Sequence, residues 1–259
     1  MHVPQYFTNT QGDIKTFVDS NSLNEITKHS FVVLPSDFVG QGIYVNSRDR
    51  TTSPLIPYMS INPLFQFVTT PPLPNEADKR LMPWRDGKTR NIELSFDLTI
   101  AYMRRADDGS HIVSHPTLEL IDTLSRRNLY ITIAGAQTVP LPMTDAEDYF
   151  AADVVTGIII VSTSFRAHPS FGERISGDSF FCTATASSYQ CDQDASGFAF
   201  RLRPTDIAYV IAKARTLDPS LSPDIADYAI DNFSFNNEVL NNAELGLRLG
   251  AYTLTIKEQ

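Results

Sequence analysis

Cysteine, tryptophan and glycine are scarce in this chain of 259 residues, with 2 Cys, 1 Trp and 12 Gly. So few cysteines exclude a disulfide-dense scaffold, and the spacing of Cys182 and Cys191 is not that of a zinc site. The two could face each other across a hairpin as a disulfide, or stand as small apolar thiols. The N-terminus, Met1-His2-Val3-Pro4-Gln5-Tyr6, has no basic region followed by a hydrophobic one, so no secretion signal is expected and free thiols are favoured. Long hydrophobic runs are missing too. The longest, around Thr156 to Ser162, is the size of a strand, far short of the roughly 20 residues that a membrane-spanning helix needs, so no membrane anchor is expected. Positive charge is in the minority, 21 Lys and Arg against 30 Asp and Glu for a net charge of −9. A surface of that sign does not grip nucleic acid through its phosphates, although it suits a passage through which DNA slides without sticking.

Chemical signatures are equally sparse. There is no GxSxG, no Cys placed beside a His, and no GxxxxGK[ST]; Gly40-Gln41-Gly42 lacks the third glycine and the strand–helix frame of a phosphate loop. His111 and His115 have a spacing that would share a metal on a helix, but a DDGS turn on one side and Pro116 on the other speak for a turn histidine and a capping one. The densest carboxylate cluster, Asp145, Glu147, Asp148 and Asp153, could do acid–base work on a glycosidic bond or hold Ca²⁺, but a solvated acidic loop is the commoner meaning. The chain is therefore expected to be no enzyme, with no catalytic, cofactor-binding or metal-ligating residue assigned and no cofactor.

What is present is β-structure. Hydrophobic residues make up 42% of the chain and aromatics 10%, ample for a core. Residues 1–83 carry many prolines, including Pro71-Pro72-Leu73-Pro74, and only short apolar pieces, which predicts an extended N-terminal arm with short strands. Residues 84–259 are expected to form a β-rich core. From Ile92 the apolar positions alternate through Leu94, Phe96, Leu98, Ile100 and Tyr102, the period of a long half-buried antiparallel strand. Pro116 to Arg127, with Leu118, Ile121 and Leu124 as a stripe, reads as a helix, followed by a strand at Leu129 to Ile133. Val154 to Phe165, Ser179 to Ser187, Phe198 to Arg203 and Ala251 to Lys257 read as further strands. Thr205-Asp206 opens a helix near 205–217; Ser222-Pro223-Asp224 opens a weaker one, and the asparagine-rich stretch Asn232 to Asn242 reads as a loop. The fold class is mainly β with a few helices.

The order of these elements resembles a known family. Trp84-Arg85-Asp86-Gly87 runs into the strand Arg90 to Ile100, then come a polar gap, the helix Pro116 to Arg127, a short strand, and a closing Thr253-Leu254-Thr255-Ile256-Lys257-Glu258. This pattern is similar to the tail-tube domain of contractile-tail phages and related injection machines, including tube initiators and baseplate hub proteins. The resemblance implies an antiparallel β-sandwich or barrel with one flanking helix, in a structural component of a virion assembled in the host cytoplasm, whose partners are copies of itself in a six-fold ring and neighbouring virion proteins around a lumen for DNA. Long strands with open edges fit ring closure. A head-side protein (connector, decoration or capsid component) suits the arm and β-rich body as well. A different class is a carbohydrate-binding β-sandwich used in host recognition, which predicts exposed aromatics, with Trp84, Tyr58, Tyr149 and Tyr189 as a stacking platform beside the acidic loop.

Overall fold

A computed structural model describes residues 5–8, 30–34, 41–46, 58–61, 81–105, 110–133, 136–138, 149–152, 159–163, 171–177, 180–192, 195–240 and 243–258. The acidic loop Asp145, Glu147, Asp148 and Asp153 lies outside these residues, as do the side chains of Tyr58, Tyr149 and His111. The strands are β1 (Gln5–Thr8), β2 (Ser30–Leu34), β3 (Gln41–Asn46), β4 (Tyr58–Ile61), β5 (Arg90–Arg105), β6 (His111–Asp122), β7 (Asn128–Ile133), β8 (Ala136–Thr138), β9 (Tyr149–Ala152), β10 (Ile159–Thr163), β11 (Glu173–Ser176), β12 (Phe180–Ala184), β13 (Tyr189–Cys191), β14 (Ala195–Leu202), β15 (Tyr228–Leu240) and β16 (Ala243–Glu258). Among the described residues one α-helix, α1 (Pro204–Leu217), stands between β14 and β15.

These strands make two sheets over one apolar core, so the mainly-β expectation holds. The first sheet runs β1-β2-β3-β16-β5-β14-β11; the second runs β13-β12-β8-β6-β7-β10-β9, with β15 on β6 and β4 on β15. Leu94, Phe96 and Leu98 of β5 supply one wall of the core, and Leu118, Leu120, Leu129 and Ile131 of the second sheet supply the other. Phe96 pairs with Phe198 in register, their rings stacked at 4.8 Å between centroids, an arrangement that adds about 1 kcal/mol to simple burial. Most neighbours are antiparallel, but β1/β2, β7/β10 and β8/β12 run parallel.

The helix expected over 116–127 is a strand and a tight turn: β6 takes residues to Asp122 and the chain reverses before β7. Pairing overrides the helical spacing. Leu118 and Leu120 face the core, and β15 and β7 flank them on either side. Pro116 is tolerated where β8 reaches only Val113 and Ser114 and β7 begins at Thr117, so among the described residues no strand pairs with it on that side. The loop expected over Asn232 to Asn242 is mostly β15, whose asparagines are held by twelve paired positions on β6; strand propensity yields to a ready-made partner. The weaker helix after Ser222 shortens to a 3₁₀ turn at Ile225–Asp227, since β15 starts at once. The helix near 205–217 is α1, burying Ile207, Val210, Ile211 and Ala214.

Among the described residues each long strand has neighbours on both sides over part of its length. β5 lies between β16 and β14, β16 between β3 and β5, β6 between β15 and β7, and β15 between β6 and β4. The edges that carry described side chains, β11 and β13, are four and three residues long.

Candidate functional site

The site begins with one misplaced residue in β5. Ile100 pairs with Leu247, but Gly246 pairs with Tyr102, so Ala101 is an extra residue, a β-bulge. A bulge reverses the alternation beyond it and re-aims the side chains. Met103 and Arg105 turn inward and are buried, while Tyr102 and Arg104 turn out. Tyr102, expected from the sequence to continue the core face, instead meets the surface.

Facing it is the β12–β13 hairpin. Its turn is closed by the Thr185 amide donating to the Ser188 carbonyl at 2.8 Å, and the Thr185 hydroxyl accepts from the Ser188 amide at 3.1 Å. The Arg105 amide donates to the Thr185 carbonyl at 3.0 Å, fastening the hairpin to the end of β5. Arg104 Nε donates to the Ala186 carbonyl at 3.3 Å. Its Nη1 donates to Glu244 Oε1 at 3.0 Å, directly across the strand pair. Glu244 is fully buried, so the guanidinium is held on a fixed carboxylate rather than waving in solvent.

Between the two elements lies a groove of about 310 Å³, lined by Tyr102, Met103, Arg104, Ala186, Ser187, Ser188 and Tyr189. Tyr189 is 37% exposed, one of four large hydrophobic side chains on the surface among the described residues. Two phenol rings, two serines and a braced arginine offer flat apolar faces beside short hydrogen-bonding groups. That chemistry suits a polyhydroxylated ring, whose C–H face lies on an aromatic while its hydroxyls are bonded at the rim.

Cys182 and Cys191 stand opposite each other in β12 and β13 and form a disulfide, correcting the expectation of free thiols. The reason is topological. The hairpin turns over Thr185–Ser188 and brings both cysteines to one register position, with the Cα atoms 4.0 Å apart.

Of the four aromatics expected to form a platform, the described residues place one, Tyr189, on the groove. Trp84 is only 3% exposed and belongs to the core. Its indole turns inward because Nε1 has a partner there, the Arg90 carbonyl. His115 is neither in a turn nor a cap. It is buried in β6, and burial lowers its pKa to about 4, so the imidazole is neutral near pH 7. Among the described residues no group of three His, Cys, Asp or Glu side chains is arranged to hold a metal ion, and no helix is long and apolar enough to cross a membrane.

A second polar cluster was not legible in the sequence. On the side of β6 and β7 away from Leu118 and Ile131, Thr117, Glu119 and Thr132 are buried beside Tyr130. Burial, then the charge of Glu119, raises the Tyr130 hydroxyl above its usual range, and Asp231 adds to this. Two carboxylates thus bear on one phenol. Glu119 sits in what reads as a helical stripe, and the bulge that places Asp231, between Ile230 and Asn232, has no sequence signal.

No family model matches the chain, and no curated protein matches it. Solved structures do. A family 12 xyloglucanase from Bacillus licheniformis, in complex with ligand, aligns over 97% of this chain and 91% of its own at 14% identity and a TM-score of 0.45. An endoglucanase from Rhodothermus marinus aligns over 90% and 88% at 10% identity and a TM-score of 0.41. A family 11 xylanase from Neocallimastix patriciarum aligns over 88% and 85% at 8% identity and a TM-score of 0.37. Each of these neighbours is named as a carbohydrate-active enzyme, and the expectation that the chain is no enzyme is withdrawn.

Proposed function

We propose that this protein is a carbohydrate-binding β-sandwich and that it takes a glycan in the groove between the end of β5 and the β12–β13 hairpin. One observation carries the reading. The Ala101 bulge and the hairpin bring Tyr102 and Tyr189, residues far apart in sequence, to the walls of one groove that also holds Arg104, Ser187 and Ser188. Sugars bind weakly per hydroxyl, since each bond made replaces one to water. Affinity therefore depends on aromatic faces that are already in place, and here both tyrosines sit on elements fastened to one another by the Arg105 amide and the Arg104 guanidinium.

The test is a glycan panel, with β-linked glucans and xylans among the ligands because the neighbouring structures are named for enzymes that act on such chains. Binding by the wild type, with loss on Tyr189→Ala at unchanged thermal stability, is the expected result. Binding that survives both Tyr189→Ala and Tyr102→Ala, or no binding by the wild type to any member of the panel, overturns the reading. The same samples are assayed for released oligosaccharide, wild type against Glu119→Gln, because Glu119 and Asp231 are the carboxylates that the fold brings to one phenol.

A further inference from the structure

The wall that carries Tyr189 is one of the two most lightly held strands among those with described side chains. β13 is three residues long and, among the described residues, pairs with β12 alone. β12 in turn pairs with β8 only through Phe180, Phe181 and Cys182. Thr183 onward projects past the last β8 position, tied to the body by the Arg105 amide and the Arg104 guanidinium. The covalent link that holds β13 against this projection is Cys182–Cys191. Its two sulfurs differ in setting: Cys182 is fully buried in the core, whereas Cys191 is half-buried on the outer strand of the pair, next to the exposed Gln190 and Asp192.

We propose that the Cys182–Cys191 disulfide is a redox gate on the groove, closed and binding-competent when oxidised and opened by a dithiol reductant. The inference rests on the carbohydrate-binding reading for its ligand, though not for its structural step. A reductant thiolate attacks Cys191 Sγ, the S–S bond breaks, and the electron pair leaves on Cys182 Sγ, which takes up a proton. The second thiol of the reductant then displaces Cys191, leaving two protein thiols and one disulfide on the reductant. Two electrons pass in all. Without the link, β13 keeps three pairing positions on a strand that is itself held at three, so Tyr189 leaves the groove wall while the sandwich stays folded around Phe96, Leu118 and Phe233. Tyr102, Arg104 and Glu244 remain on β5 and β16, so the groove loses one side rather than its floor.

The experiment is hydrogen exchange read by mass spectrometry on the full chain, oxidised and after dithiothreitol, alongside glycan titration of both forms. Faster exchange confined to residues 185–191, unchanged protection of α1, and a loss of glycan affinity of about tenfold, the scale of one aromatic contact, are the expected results. Both changes should reverse on reoxidation. The double variant Cys182→Ser/Cys191→Ser should match the reduced form; if it does not fold, the reduced wild type carries the comparison. Unchanged exchange in 185–191, equal affinity in both forms, or exchange that rises throughout the sandwich overturns the gate. If no glycan binds the oxidised protein while exchange in 185–191 still rises on reduction, the carbohydrate reading fails and the redox-opened hairpin stands.

Discussion

The indole Nε1 of Trp84 donates to the carbonyl oxygen of Arg90 at 2.8 Å. Arg90 in turn grips the loop it follows, with Nη1 on the Pro83 carbonyl at 2.5 Å and both Nη atoms on the Asp86 carboxylate at 2.7 and 2.5 Å. Bonding to Arg90 holds the Asp86 carboxyl down at about 2. The loop is therefore a clasp at the start of β5, and its tryptophan is a core residue. Trp84→Ala should destabilise the fold by about 3–5 kcal/mol. The clasp also supplies its own probe: Trp84 is the single tryptophan, so denaturant should red-shift the emission in step with the loss of far-ultraviolet circular dichroism. A native emission already at the fully exposed wavelength would contradict the burial.

Stability should fall with acidification because of His115. In the folded protein burial holds its pKa at about 4, against about 6.5 for an unfolded histidine. Between those values the unfolded chain binds a proton that the folded chain does not, so stability is full above pH 6.5 and declines as pH drops towards 4. The window corresponds to about 3 kcal/mol. Chemical denaturation at a series of pH values should show this slope, and His115→Gln should flatten it. An equal slope in the variant would place the titration elsewhere.

Asp206 closes the first turn of α1. One carboxylate oxygen accepts from the Arg203 amide at 2.8 Å and from Arg203 Nε at 2.8 Å, while the other accepts from Nη2 at 2.7 Å. The group is 5% exposed. Asp206→Ala removes the cap and leaves a guanidinium and an amide short of partners, so the expected cost is about 2 kcal/mol. Asp206→Asn should recover part of it. A thermal melt that does not separate Asp206→Ala from the wild type would remove the cap from the account.

Much of the frame was legible because period two is hard to mistake: Ile92 to Ile100 lies within β5, and Tyr252 to Ile256 within β16. Thr205-Asp206 with Ile207, Val210 and Ile211 likewise marked α1. The failures share a cause. Leu118, Ile121 and Leu124 have helical spacing, and only the β15 and β7 partners, distant or reversed in sequence, turn that segment into β6. The asparagines of β15 discourage a strand locally and are overruled by β6. The groove was hidden for a sharper reason. Tyr102 continues the apolar alternation of β5, and nothing around Ala101 announces the bulge that turns it outward. Tyr189 could be named as an exposed aromatic, but its partners across the groove come from pairing. The cysteine bridge was read the wrong way, as free thiols, because a spacing of nine fits a hairpin with or without the bond and no secretion signal favoured the bond.

The pair Arg104 and Glu244 offers the most direct check that the groove is built rather than incidental. Glu244 is fully buried while Arg104 keeps 24% of its side chain exposed, and the two stand at one register position of β5 and β16. Removing the carboxylate takes from Arg104 its Nη1 acceptor; removing the arginine takes a donor from a fully buried carboxyl group, which is the costlier loss. Arg104→Met should therefore destabilise more than Glu244→Gln, since glutamine keeps an acceptor for the guanidinium. The double variant should cost less than the sum of the two, with a coupling of about 1–3 kcal/mol. Glycan affinity separates structure from positioning. Glu244→Gln leaves the groove lining unchanged in composition, so a drop in affinity at near-wild-type stability would mark Glu244 as the residue that positions Arg104. Additive stability changes and an unchanged affinity would mean that Arg104 neither depends on Glu244 nor contributes to what the groove holds.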